Sequence, residues 1–192
     1  MPLHDSKTVC RRNEGRVSMS VRLVISVLAL ALLPLASSSL AQASDSAEKA
    51  KVATEEDGKY FDAEGNPTYK IENGTVDWYT FSGYRRYHSD CHVCHGPDGT
   101  GSSYAPALVN SLKTMDYATF LSIVAEGRKN VGGGKENVMP AFGDNKNVYC
   151  YMDDLYVYLR ARADGAAPRG RPPKKADKPQ AAKDAEASCM GG

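Results

Sequence analysis

The sequence predicts an all-α domain over roughly residues 60–164. Three observations predict it. Capped stretches with apolar residues at helical spacing recur at 77–89, 114–126 and 153–163. Gly83, Tyr87 and Cys91 fall four apart, so they share one helical face on successive turns. A bare glycine there lets another helix cross closely. A domain this small has a limited apolar core of its own, and a C-x-x-C-H string closes the first helical stretch.

That string, Cys91-His92-Val93-Cys94-His95, is a haem-attachment signature. Its two thiols can add to the two vinyl groups of one haem, and His95 then offers an imidazole to the iron. A thioredoxin-like redox pair would need a βαβ context, and none is visible. A zinc site would need a second ligand pair at metal spacing. Of His4, His88, His92, Cys10, Cys150 and Cys189, none is so placed. The signature occurs once, so one haem c is expected, covalent through Cys91 and Cys94. As a large apolar body it would complete the core.

The elements follow in order. Asp77 caps the first helix, which runs to about Ser89 with Trp78, Phe81, Tyr84 and Tyr87 on its aromatic side. Gly96-Pro97-Asp98-Gly99-Thr100-Gly101 is turn chemistry that takes the chain sharply out of the attachment helix. A metal-bound imidazole wants a fixed acceptor for its other N–H, and the Pro106 carbonyl is the candidate. Thr114 or Asp116 caps the next helix, with Phe120, Ile123 and Val124 facing the core and Gly127 ending it. Arg128 to Asn137 reads as a loop. Its Gly132-Gly133-Gly134 lacks the Lys-Ser/Thr and the strand-to-helix context of a phosphate loop.

Val138-Met139-Pro140 is the second ligand segment. A thioether is a soft, weak ligand that needs a backbone to hold it, and Pro140 keeps Met139 out of a helix. Met139 lies 44 residues beyond His95, enough chain to pass round a haem edge. Met115 reads as a packing or surface residue. Met152, the rival ligand, sits in a helical start without a flanking proline. Asp153 and Asp154 fit the first turn of the last helix, whose stripe is Leu155, Tyr158 and Leu159. That helix is expected to cross the first near Gly83 and Tyr87.

The ends differ from the domain. Arg11, Arg12, Arg16 and Arg22 precede an apolar run from Leu23 to Leu35, and Ala41-Gln42-Ala43 follows. This is the pattern of a secretory signal over 1–43. The run is about 13 residues, short for a membrane span, so no stable anchor is expected after cleavage. An extension, 44–76, is read as partly flexible, its polar first part holding at most a helical turn. The tail 165–192 lacks aromatic residues and reads as disordered. Residues 44–164 carry 13 basic and 18 acidic side chains, a net −5, whereas the tail is +3. No aromatic-basic stripe points to nucleic acid. Outside the haem motif, Cys150 and Cys189 remain in the mature chain. An oxidising compartment permits a disulfide between them, with free or intermolecular thiols as alternatives.

These residues together resemble the class I c-type cytochromes: Gly83…Tyr87, Cys91-x-x-Cys94-His95-Gly96, Pro106-x-Leu108, Val138-Met139-Pro140 and Leu155…Tyr158-Leu159. The Tyr60-to-Trp78 extension, the Gly96-Pro97-Asp98-Gly99 run and a cysteine before the last helix narrow the resemblance to the methanol-metabolism-related four-cysteine cytochromes c. It implies a class I cytochrome c fold around one haem, with His95 and Met139 as axial iron ligands. It also implies a periplasmic carrier of single electrons, not an enzyme. The donor would be a quinoprotein (PQQ) alcohol or methanol dehydrogenase, and the acceptor a later cytochrome or terminal oxidase. Another respiratory complex is an alternative partner. A haem enzyme or gas sensor would need Met139 to be displaceable. The expected docking surface surrounds Cys91, Cys94 and the Met139 loop, with Asp98 and Lys135 near its rim.

Overall fold

The computed structural model describes residues 51–132 and 135–191, with the backbone alone over 130–137. The expected signal segment and residues 44–50 lie outside the described residues. Among the described residues seven α-helices follow in order: α1 (Trp78–Asp90), α2 (His92–His95), α3 (Leu108–Ser111), α4 (Tyr117–Glu126), α5 (Lys146–Tyr149), α6 (Met152–Ala163) and α7 (Gln180–Met190). None of the described helices is long and apolar enough to cross a membrane.

Capping chemistry sets the helix starts. The Asp77 carboxylate accepts the Thr80 N–H and hydroxyl at the head of α1, and also the Lys70 N–H. Asp116 does the same for Thr119 at the head of α4. Such caps contribute about 1 kcal/mol each. Gly127, at φ 76°, ends α4. Helices α1 and α6 then cross as expected. A Cβ on Gly83 would lie 1.8 Å from the Asp154 carbonyl oxygen and 2.8 Å from the Tyr158 Cβ. Only hydrogen fits there. Tyr87, Leu155, Tyr158 and Leu159 pack below the crossing, joined by Leu112, Phe120, Val124, Val148 and Tyr156.

Around this helical core the described residues add three small sheets. The extension is more ordered than its composition implies. Strands β1 (Thr54–Glu56), β2 (Lys59–Phe61) and β3 (Pro67–Thr68) form an antiparallel sheet, and β1 lies in the stretch 44–60 where a loose chain with a helical turn was expected. Lys59 pairs with Asp153 of α6, and the Tyr69 hydroxyl donates to Asp164 at 3.2 Å. These long-range partners were invisible to a local reading. Strands β4 (Ile71–Glu72) and β5 (Thr75–Val76) lead into α1. The expected loop at 128–137 is a hairpin instead, β6 (Arg128–Gly132) against β7 (Lys135–Met139). The ladder pairs Arg128 with Met139 through Gly132 with Lys135, a register that the reading of a loop did not anticipate.

The tail needs the larger correction, since residues 165–191 are ordered. Strand β8 (Lys174–Lys175) pairs in parallel with β5, and the Ala176 N–H donates to the Val76 carbonyl at 2.8 Å. Helix α7 follows, and Cys189 forms a disulfide with Cys150. By itself the tail has too little apolar surface to offset the entropy of ordering. The cross-link changes that balance. Closing a loop of 39 residues removes about 4 kcal/mol of unfolded-chain entropy on a chain-entropy account. Lys175 over Trp78 at 5.1 Å and Arg171 over Phe81 at 5.6 Å supply aromatic partners that the tail lacks.

Asp154 is buried at the crossing. Desolvation raises its carboxyl to about 7, against the Ser82 hydrogen bond and the Lys59 charge, which lower it. The folded chain therefore binds this proton more tightly than the unfolded chain. The protonated group favours folding below pH ~4, and that contribution is lost as pH rises through 7, on the order of 4 kcal/mol in all. Asp154→Asn is expected to gain stability over the parent at pH 8 and much less at pH 5. Paired guanidinium unfolding curves at the two pH values measure the difference.

Candidate functional site

Cys91 sits at the C-terminal cap of α1, its N–H on the Tyr87 carbonyl at 2.9 Å. The next turn is α2, where His95 N–H returns to the Cys91 carbonyl at 3.0 Å. This single turn brings Cys91, Cys94 and His95 together. Cys94 is exposed and Cys91 half-buried. Burial, with the Asp90 charge beside it, pushes the Cys91 thiol up to about 12.

His95 is 7 % exposed. Its Nδ1 lies 3.0 Å from the Pro106 carbonyl oxygen, which is acceptor-only, so Nδ1 carries the proton. Nε2 is then the nitrogen with a free lone pair. Gly101 N–H donates to the His95 carbonyl at 2.7 Å, closing the loop between imidazole and proline. Gly96 takes φ 72°, and a Cβ on it would lie 2.2 Å from the Gly101 carbonyl oxygen. The sharp turn therefore depends on glycine.

Tyr87 does more than pack beside the helix crossing. Its buried hydroxyl donates to the Gly96 carbonyl and accepts the Gly99 N–H at 2.9 Å. One side chain thus satisfies two backbone groups of the loop that follows His95. The Gly83–Tyr87–Cys91 spacing pointed to this residue without revealing its hydroxyl's task. Asp98 lies elsewhere than expected. It is 4 % exposed and sits at φ 57°, so it is no part of a docking rim. Its Oδ1 accepts the Gly170 N–H at 3.0 Å, and Arg169 Nε approaches Oδ2 at 3.5 Å. The Lys135 side chain lies outside the description.

Met139 ends strand β7, paired with Arg128 of β6. Its carbonyl oxygen would lie 2.6 Å from a Cβ on Gly127, and Phe142 N–H donates to the Val124 carbonyl at 3.0 Å. The segment is therefore strapped to the end of α4. The Met139 side chain is half-buried against the core, as are those of Met115 and Met152. Val93, Tyr104 and Val138 expose large apolar side chains on the three segments that carry Cys94, Pro106 and Met139.

The donor chemistry fits a covalent haem. Two thiols stand one turn apart, and the imidazole beside them has one nitrogen committed to a carbonyl and the other available. Among the described residues, no group of three or more His, Cys, Asp or Glu side chains could hold a metal ion by itself.

Comparison with known proteins agrees with that chemistry. Residues 81–159 match the family model described as cytochrome c oxidase, cbb3-type, subunit III. The chain is 40 % identical over 106 residues to cytochrome c-555 of Methylococcus capsulatus (Bath), covering 55 % of this chain and 76 % of that protein. This chain belongs to the c-type cytochromes. It is also 59 % identical over 138 residues to cytochrome c-553I of Paracoccus denitrificans, covering 71 % of the cytochrome described here. It spans 61 % of that relative's length. Among solved structures it is similar to the c-type cytochrome XoxG from Methylobacterium extorquens AM1. The TM-score is 0.71 at 58 % identity, over 76 % of this chain and 90 % of that one. The cytochrome is thus an electron-transfer protein with covalently bound haem c, and its core has the class I fold.

Tyr87→Phe removes one hydroxyl and strands both Gly96 O and Gly99 N in the interior. The expected loss is about 2–3 kcal/mol. Tyr158→Phe, whose hydroxyl only reaches Asp98 at 3.4 Å, is expected to lose about 1 kcal/mol or less. Denaturant unfolding of the two holoproteins compares them.

Proposed function

We propose that the cytochrome is a periplasmic carrier with one haem, held by Cys91 and Cys94 and ligated by His95 and Met139. It takes single electrons from a quinoprotein (PQQ) alcohol or methanol dehydrogenase and passes them to a later cytochrome or a terminal oxidase. The observation that carries this reading is the imidazole of His95, buried and oriented by the Pro106 carbonyl.

A haem iron, when bound, supplies a one-electron couple. The chain's residues decide how that couple is used. Cys91 and Cys94 would hold the group covalently, so it is not lost during repeated docking. Pro106 fixes the tautomer and plane of His95 and raises its basicity as a ligand. The Met139 thioether would be the second ligand, a soft donor that would favour the reduced state and leave no open site for small oxidants. Its backbone is held against Gly127 and paired with Arg128, which would keep the thioether in place. Val93, Tyr104 and Val138 are exposed apolar side chains on the segments that carry Cys94, Pro106 and Met139, suited to contacts in a short-lived redox complex. The single C-x-x-C-H supports one haem, and the leader pattern at 1–43 supports export. The resemblance to methanol-metabolism-related cytochromes supports the donor.

Met139→Ala is expected to abolish the long-wavelength sulfur-to-iron band of the oxidised protein and to lower its midpoint potential. An unchanged spectrum and potential would remove Met139 from the iron. For the donor, stopped-flow reduction by a PQQ alcohol dehydrogenase is expected to be fast at low ionic strength and to slow as salt rises. A slow, salt-independent rate would reject that dehydrogenase while leaving the ligand assignment standing.

A further inference from the structure

We propose that the segment Arg169–Lys178 is a preformed docking strip for a protein partner with an acidic face. The proposal rests on the electron-carrier reading above and extends it to a second contact surface. The strip reads Arg169-Gly170-Arg171-Pro172-Pro173-Lys174-Lys175-Ala176-Asp177-Lys178, with five basic side chains and one acidic. Arg169, Arg171, Lys174 and Lys175 are exposed. Lys178 is engaged by Glu186 of α7. The preceding domain, 44–164, carries a net −5, so the strip reverses the sign of the molecule locally.

Fixity distinguishes this strip from a charged tail. Gly170 N–H is held by Asp98, and Arg162 donates to the Ala167 carbonyl just before it. Lys174 and Lys175 pair with Thr75 and Val76. The Cys150–Cys189 disulfide closes the far end. Arg171 and Lys175 rest over the rings of Phe81 and Trp78, which extends their charges over a rigid aromatic floor. Cations at set positions suit a partner whose carboxylates are also at set positions. A lipid surface is fluid and gains nothing from such order. Nor do any of the exposed large apolar side chains, Val52, Val93, Tyr104, Val138 and Tyr149, lie in the strip, so insertion has no anchor there.

The position matters as well. Asp98 is three residues beyond His95 and touches the start of the strip through Gly170 and Arg169. A partner seated on the strip therefore lies beside the loop that follows the attachment motif. The strip shares no residue with the exposed apolar side chains Val93, Tyr104 and Val138. Contacts of unlike chemistry fit a carrier that meets an electron donor and an electron acceptor in turn.

The test uses the full-length reduced holoprotein. An acidic blue-copper protein with its copper removed serves as a redox-inert probe, titrated at low ionic strength and followed by backbone amide shifts. Shifts are expected at 169–171 and 174–178, and they should vanish at high salt. Shifts confined to the neighbourhoods of Val93, Tyr104 and Val138 would overturn the proposal. The triple variant Arg171→Glu/Lys174→Glu/Lys175→Glu is expected to lose the shifts. Its electron-exchange rate with the copper-loaded probe should fall roughly tenfold at low salt, and its rate with a basic blue-copper protein should rise. The corresponding triple Gln variant controls for tail release and should fall between the two. Haem spectrum and midpoint potential should match the parent in both variants. Their values in the parent test the electron-carrier reading separately. Phosphatidylglycerol vesicles form the last arm. Binding to vesicles that needs the three cations, with no amide shifts from the acidic probe, would replace the protein partner with a lipid surface.

Discussion

The crossing of α1 and α6 at Gly83 is the constraint on which the rest of the cytochrome depends. With no Cβ at this point, the Asp154 carbonyl of one helix can sit against the backbone of the other. The approach sets Tyr87 and Tyr158 beside each other, ring centroids 5.6 Å apart. Tyr87 then reaches Gly96 and Gly99. Those contacts carry the geometry of the helix pair to the loop that follows the attachment motif. A larger residue at position 83 would separate the helices and let that loop go.

The same crossing explains why Asp154 is tolerated inside. Its backbone is needed where it is, and its side chain follows the backbone into the interior. The elevated proton affinity is the consequence of burial beside only partial compensation from Ser82 and Lys59. Lys59 comes from the extension and Tyr117 from α4, and both meet the neighbouring Asp153. The last helix is therefore the place where extension, core and hairpin-bearing segment are tied together.

The tail shows how a weakly folding segment becomes structure. No single contact along 165–191 would order it. Asp98, the Val76 edge, Trp78 and Cys150 act at separate points along it, and each shortens the chain left to be ordered by the next. The result converts a flexible cationic stretch into a surface with fixed charges.

The sequence by itself made the attachment motif and the helical core legible. Cys91, Cys94 and His95 lie within one turn, and the caps Asp77 and Asp116 act within three residues, so these features are local and legible. The bare Gly83 four residues before Tyr87 also announced a close crossing. Tertiary structure alone decided the strands of the extension, the hairpin at Met139, the burial of Asp98 and the order of the tail. Each of these rests on partners far away in sequence, such as Gly170 for Asp98 and Asp153 for Lys59. Local composition is blind to such pairs, because they exist only once the chain has closed around its helix crossing.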